Sequence, residues 1–432
     1  MTVIGIDDTD SRERGMCTTY LAARVVARIR EEGGAVERRV LVRLNPAIEH
    51  KTRGNAALAV HTDLDAERAL AVAHEAVGSL AATDDPRTHP GVVVAPGEAM
   101  PEPVIEFARR AVRERLTIDE ARRLIESTGY RHAGWKESRG LIGALAAIGA
   151  WAAFGGWTYE HIAYREVHRR GTPRTVNHES VFAAADWGYP AAWDTVDREE
   201  GSAVCVPHAP GPILYGIRGD DPETVRGVAD RIESEPVERT GIFVTNQGTD
   251  AHLREGSVGE LRDGRAYRVS GTVSTPPETG RGGHVFFTLE DGDWSLACAA
   301  FEPTKRFRKY VRALHVGDRL TVCGEFTGRR PIEADRSVSD GTLKLEKFAV
   351  RDLVETELAV PSCPDCGRSM ESAGRDQGYR CRDCGTGEPG KVEREIERDL
   401  EPGWYEVPPC ARRHIAKPLV RGGFDAPIHP ER

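Results

Sequence analysis

The sequence predicts a multidomain α/β (α+β) chain that ends in an OB-fold β-barrel and a zinc ribbon, and three observations predict it. Up to about residue 260, short apolar runs of strand type alternate with amphipathic helices, as in layered α/β domains. From Tyr267 to about Val350 the pattern is all-β, with five strands, glycine-rich turns and one long connection, which fits an OB-fold. Cys363-Pro364-Asp365-Cys366 and Cys381-Arg382-Asp383-Cys384 then form two thiol knuckles, each followed by glycine, with the spacing of a closed tetrahedral Zn²⁺ site. At 432 residues the chain exceeds what one core organises. The expected divisions are 1–197, 198–260, 265–352 and 358–390, with a basic tail at 391–432.

The first region opens on a buried strand, Val3 to Ile6, that runs into Asp7-Asp8-Thr9-Asp10-Ser11. A helix follows from Thr18 to Arg30, with an apolar stripe through Leu21, Val25, Val26 and Ile29. Strands are expected at Arg39–Leu44, Ala56–Val60 and Gly91–Val94, and helices at 66–80, 102–115 and 118–127, the last capped by Thr117. Asp7, Asp8 and Asp10 at a strand's carboxyl end make an oxygen-rich site suited to Mg²⁺ and substrate phosphates, at the edge where open α/β sheets bind ligands. The Thr18 hydroxyl, at the start of the helix, could accept a phosphoryl group there. Single Asp or Thr residues before helices are usually caps; the cluster is what makes the stretch specific.

Two further stretches read as phosphate sites. Lys51-Thr52-Arg53-Gly54-Asn55 joins two cations, a glycine and an amide in one loop, the parts of a phosphate clamp or equally of a solvated hairpin tip. Arg139-Gly140-Leu141-Ile142-Gly143-Ala144 enters an apolar helix, so Arg139 and Gly140 could meet a phosphate at the helix start, or the glycines could serve tight packing.

A smaller unit has expected strands at 203–207, 213–217 and 241–245 around a helix from Pro222 to Ile232, capped by Asp221. Arg218, at a strand end, is a candidate phosphate or RNA contact. In the OB-fold connection Lys305, Arg306, Arg308 and Lys309 interleave with Phe307 and Tyr310, the mixture that binds single-stranded nucleic acid. Cys363, Cys366, Cys381 and Cys384 are the zinc ligands. The tail offers Arg412, Arg413 and His414, the two arginines as RNA contacts.

The formal charge of −9 is unlike a general nucleic-acid binder, so RNA binding requires local basic surfaces. Nine cysteines, four of them in the metal pattern, exclude a secreted disulfide scaffold; Cys298 and Cys323 read as buried hydrophobes and Cys17 as a turn residue. No apolar run has membrane-spanning length and no leader pattern precedes the first strand, so the expected setting is cytoplasmic.

Gly5-Ile6-Asp7-Asp8-Thr9-Asp10-Ser11 with Gly15-Met16-Cys17-Thr18-Thr19 resembles the start of the archaeal agmatidine synthetases. The resemblance continues through Arg43-Leu44-Asn45-Pro46, the 51–55 and 139–144 stretches, Gly171-Thr172-Pro173-Arg174 and Tyr215-Gly216-Ile217-Arg218-Gly219. It implies a kinase-like first domain, a ferredoxin-like second unit, and a reaction that uses ATP and Mg²⁺ to attach agmatine to the wobble cytidine of the minor, AUA-reading isoleucine tRNA. It also implies that Thr18 is itself phosphorylated. Agmatine needs acidic and aromatic partners, for which Asp186 and Asp194, beside Trp187 and Tyr189, are candidates. No obligate protein partner is evident. An RNA-associated kinase with another acceptor, or a non-catalytic tRNA- or single-stranded-DNA-binding protein, would share the same modules.

Overall fold

The computed structural model describes residues 1–13, 15–49, 51, 54–328, 338–413 and 416–432. The first sheet has nine strands in the order β5-β4-β1-β3-β2-β9-β6-β8-β7. They are β1 (Thr2–Asp7), β2 (Val36–Arg43), β3 (Ala56–Thr62), β4 (Gly91–Ala95), β5 (Arg131–Gly134), β6 (Thr158–Arg165), β7 (Ala192–Trp193), β8 (Ile213–Gly219) and β9 (Val237–Thr245). Helices α1 (Thr18–Glu31) and α2 (Ala66–Leu80) cover one face, where Ile4, Ile6, Leu21, Val25 and Ile29 share a core. Helices α3 (Glu102–Arg113), α4 (Ile118–Thr128) and α5 (Leu141–Ala153) cover the other. Thr117 caps α4 with a full capping box to Glu120, and Asp65 caps α2, as short polar side chains do at exposed first turns.

β1 is antiparallel to both neighbours, β3 and β4. The parallel-sheet edge assumed for the aspartates is therefore absent, and another feature locates the site. The apolar helix α5 lies almost against the strand backbones: a Cβ added at Gly5 would stand 2.0 Å from the Ala144 carbonyl oxygen, and one at Gly91 would stand 2.2 Å from Leu141 N. Glycine is what lets the backbones come this close. The start of α5 is thereby pinned beside the end of β1.

Residues 203–207 form turns rather than the expected strand: Val206 N bonds back to Ala203 O within a turn, and Cys205 N bonds to Thr195 O. Strand β6 and helix α6 (His178–Gly188) share a core with β8 and helix α7 (Pro222–Ala229) through Ala163, Val181, Ala184, Leu214 and Val225.

The second sheet contains the barrel. Strands β11 (Arg265–Val273), β13 (Val285–Asp291), β14 (Trp294–Ala300), β16 (Val338–Asp352) and β15 (Arg319–Gly328) pair in that order, and β15 returns to β11 to close a five-stranded barrel. Short strands β10 (Leu253–Glu255) and β12 (Glu278–Thr279) flank it, and helix α8 (Phe307–Arg312) buries Phe307 and Val311 in its core. The ribbon consists of β17 (Thr356–Ala359), β18 (Glu371–Ser372), β19 (Tyr379–Arg380), β20 (Gly387–Glu388) and β21 (Val392–Glu395). The tail then returns: β22 (Gly403–Glu406) pairs with β16, and β23 (Ile428–His429) pairs with β22. Among the described residues, no helix is long and apolar enough to cross a membrane.

Candidate active site

A cavity of about 420 Å³ opens where the end of β1, the start of α1, the start of α5 and Lys51, Gly54 and Asn55 meet. Asp7, Asp8, Asp10, Thr18, Lys51, Gly54, Asn55 and Arg139 all line it. Arg53 and Thr52 lie outside the described residues, as does His414 of the tail.

The aspartates are held under electrostatic tension. Burial raises the Asp7 carboxyl well above its ordinary value, and the neighbouring charges of Asp8 and Asp10 raise it further. Burial also raises Asp8, opposed by Arg139, whose Nη2 donates to Asp8 Oδ2 at 2.9 Å. The same Arg139 nitrogen donates to the Arg87 carbonyl at 2.6 Å. The loop behind these groups is braced: Thr88 Oγ1 donates to the Asp10 carbonyl at 2.7 Å, Ser11 Oγ to Asp85 Oδ2 at 2.5 Å, and Lys136 Nζ to the carbonyls of Asp85 and Thr88. Asp8, Asn55, Lys136 and Ser138 all have left-handed backbones, with φ between 44° and 61°. Such strain persists where surrounding bonds over-determine it.

Thr18 begins α1 and is buried, and its Oγ1 accepts from Thr9 Oγ1 at 3.1 Å. The Cys17 sulfur pairs with Thr19 Oγ1 at 3.0 Å, consistent with a turn residue.

The loop side of the cavity divides by role. Asn55 Nδ2 donates to the Asn45 carbonyl at 2.6 Å, so this amide closes its own loop. Burial lowers the Lys51 ammonium; Glu325 opposes, and Arg413, Arg12 and Lys344 lower it further. At α5 the packing reading holds: the amides of Gly140, Leu141 and Ile142 bond to the carbonyls of His89, Ser138 and Arg139. The Gly140 amide is therefore bonded within the protein.

Sequence reasoning missed Glu160. It lies in β6 with its side chain 6% exposed, lines the cavity, and pairs with Arg43 at 3.1 Å and Arg218 at 3.5 Å. A lone carboxylate in the run Tyr-Glu-His-Ile-Ala-Tyr was its signal, since buried charges are rare unless paired. Leu58, Ile162 and Ile213 form the apolar wall beside it.

Other candidates stand elsewhere. Asp186 lies on the surface of α6 with Arg198 and Arg432, and Asp194 is buried against Arg412 at 2.9 Å; neither lines the cavity. Arg412, expected on RNA, is enclosed between Asp194 and Glu406 because the tail folds back onto the barrel. Phe307 is fully buried in the barrel and cannot stack on a base. Arg306 binds Asp197 and Glu431, Arg308 binds the Gly283 carbonyl, Lys305 binds Glu200, Lys309 binds Asp399, and Arg413 binds Glu325 and Glu346.

The ligand atoms of Cys363, Cys366, Cys381 and Cys384 lie within 4.8 Å of one another. Gly367 and Gly385, both with φ 73°, turn each knuckle, and their amides bond back to the carbonyls of Cys363 and Cys381. Four convergent thiolates around the small core of Met370 and Tyr379 are the donor set of a structural Zn²⁺. Among the described residues, Asp7, Asp8 and Asp10 do not form a comparably tight ligand cluster.

Family models match four segments: the TiaS TCKD domain at residues 3–137, the TiaS FLD domain at 138–252, an OB-fold nucleic acid binding domain at 267–346 and the TiaS C-terminal zinc ribbon domain at 360–400. The chain is 56% identical over 474 residues to the isoleucine-2 tRNA 2-agmatinylcytidine synthetase TiaS of Haloquadratum walsbyi, with 100% of both chains covered. It is similar to the crystal structure of TiaS in complex with isoleucine-2 tRNA and ATP, with a TM-score of 0.88, 42% identity and 100% and 99% of the two chains covered. A complex of TiaS with the same tRNA, AMPCPP and agmatine is similar with a TM-score of 0.85, 40% identity and the same coverage. Sequence, domain order and fold thus agree over the whole length, and the chain belongs to the archaeal tRNA 2-agmatinylcytidine synthetase (TiaS) family.

Proposed function

We propose that this chain is an ATP-dependent ligase that joins agmatine to carbon 2 of the wobble cytidine in the minor isoleucine tRNA, changing its decoding from AUG to AUA. The observation that carries this reading is the meeting of three aspartates, Thr18, Lys51 and Arg139 in one cavity of a chain that belongs to the agmatinylcytidine synthetases.

The carbon-2 oxygen of cytidine is a poor leaving group, and phosphorylating it lets an amine displace it as phosphate. Asp7, Asp8 and Asp10 would hold Mg²⁺, which supplies charge neutralisation and alignment of the triphosphate. Arg139 and Lys51 stabilise charge that develops on the transferring group. Thr18, whose oxygen already accepts a hydrogen bond from Thr9, takes a phosphoryl group during the cycle. The wall of Leu58, Ile162 and Ile213 suits the methylene chain of agmatine, with the Glu160 carboxylate at its buried end. The wobble base reaches this cavity splayed from its loop, as unpaired RNA bases do at modest cost. The zinc ribbon gives its module a fixed shape, and the enzyme works in the cytoplasm with its tRNA and ATP.

The test is mass spectrometry of nucleosides from the minor isoleucine tRNA after incubation with protein, ATP, Mg²⁺ and agmatine. An agmatine-dependent cytidine adduct is expected. Phosphothreonine without any adduct would point to a kinase with another acceptor, and neither product to a binding protein.

A further inference from the structure

The arginines that the sequence offers to RNA are mostly consumed by carboxylates, whereas another set outnumbers the carboxylate it shares. Strands β2 and β9 run parallel, with Leu41 and Phe243 packed under α1 beside Tyr20. Arg39 lies 6.0 Å from the Phe243 ring, and Arg170 and Arg239 lie 4.1 and 5.7 Å from the Tyr20 ring. Glu238 accepts from Tyr20 at 3.0 Å and pairs with Arg170 at 3.0 Å, Arg239 at 3.1 Å and Arg24 at 3.9 Å. Three guanidiniums therefore share one carboxylate. Arg30 and Arg39 have no carboxylate partner among the described residues, and Arg170 Nε is buried without an acceptor. Arg24 and Arg30 are exposed. Burial, and after it the nearby charge of Arg30, lowers the Arg39 guanidinium, so like charges here are crowded rather than compensated. In a chain of formal charge −9 this cluster inverts the local sign.

Its position relates it to the cavity. Arg24 and Arg30 follow Thr18 on the same helix, about 9 and 18 Å further along its axis at the rise of an α-helix. RNA with one base splayed beside Thr18 carries its flanking phosphates over such a span.

We infer that Arg24, Arg30, Arg39, Arg170 and Arg239 form a track for the phosphate backbone of the substrate RNA, holding the strand beside the nucleotide that enters the cavity. This rests on the reading of the chain as a tRNA-modifying enzyme. The contacts are to phosphate and carry no sequence information, so they set affinity and register while the cavity selects the base.

The test compares wild-type protein with the R24Q/R30Q/R39Q triple variant for binding of the minor isoleucine tRNA across a salt series. The triple should bind about tenfold more weakly and lose roughly 2 from the slope of log K against log salt, since each single-strand phosphate contact contributes about 0.7. Its KM for tRNA should rise while kcat changes little. The R24K/R30K/R39K variant keeps the charges and should keep the slope. Wild-type protein that binds and modifies the tRNA, beside a glutamine triple with unchanged affinity and slope, overturns this inference alone. Wild-type protein that neither binds nor modifies it removes the underlying reading as well.

Discussion

Gly143 faces Asp7 so closely that a Cβ at position 143 would stand 2.0 Å from Asp7 Oδ2. The carboxylate thus rests against bare helix backbone, and that contact fixes where the cavity's buried charge sits. Glycine inside a helix costs about 1 kcal/mol relative to alanine. The site, rather than the helix, explains the residue.

Gly143→Ala should therefore lose activity although alanine is the better helix former. Displacing Asp7 by about 1 Å costs on the order of 10²-fold in turnover at a catalytic centre. Steady-state ATP turnover, with circular dichroism to check folding, measures it; unchanged turnover would show that Asp7 has room to spare.

Arg139→Met tests the ionisation of Asp8. Burial raises Asp8 while Arg139 opposes through its charge and its hydrogen bond, so removing Arg139 raises Asp8 further. If the ionised form is the active one, the acid limb of ATP turnover moves to higher pH in the variant. A limb that stays in place would separate Asp8 from the chemistry.

Much of this was legible in the sequence. The three aspartates and Thr18 announce themselves by clustering, a phosphate role for Lys51 and Arg139 is one of two readings of their stretches, and all of them line one cavity; the paired knuckles specify a four-cysteine site. What was not legible is long-range. Glu160 lies 153 residues from Asp7, and no local pattern says which strand lines a cavity. Two members of the basic runs were illegible for the same reason: Arg412 looks like an RNA contact until the tail is seen to fold back against Asp194, and the Phe307 side chain points into the barrel.

Arg412→Met should destabilise the fold, because it leaves Asp194 and Glu406 buried without their cation; breaking such a pair typically costs about 3–5 kcal/mol. Burial already raises Glu406, so the folded chain holds that proton more tightly than the unfolded chain does. The loss should grow as pH rises above the ordinary carboxylate range, because Glu406 is then forced to ionise in the folded chain. Thermal melts across pH would reveal this, and a pH-independent deficit would assign the cost to packing.

Cys381→Ser removes one of four ligands from a module with little core of its own. Zinc content by elemental analysis should fall to a small fraction of one equivalent, and tRNA affinity should fall with it. Full zinc retention would mean that three thiolates suffice.

Glu160→Gln leaves Arg43 and Arg218 without their shared carboxylate at the inner end of the cavity. Adduct formation should fall at least about tenfold, in line with loss of a buried charged hydrogen bond of about 1.5–3 kcal/mol, while phosphothreonine still forms. Loss of both products together would place Glu160 in the phosphotransfer step instead.

Activation of the base turns on the fate of one oxygen. Minor isoleucine tRNA labelled with oxygen-18 at carbon 2 of the wobble cytidine, incubated with protein, ATP, Mg²⁺ and agmatine, allows that atom to be followed by mass spectrometry. Each adduct formed is expected to release the label in phosphate derived from ATP. Adduct formation with the label in water would contradict activation of that oxygen by phosphorylation.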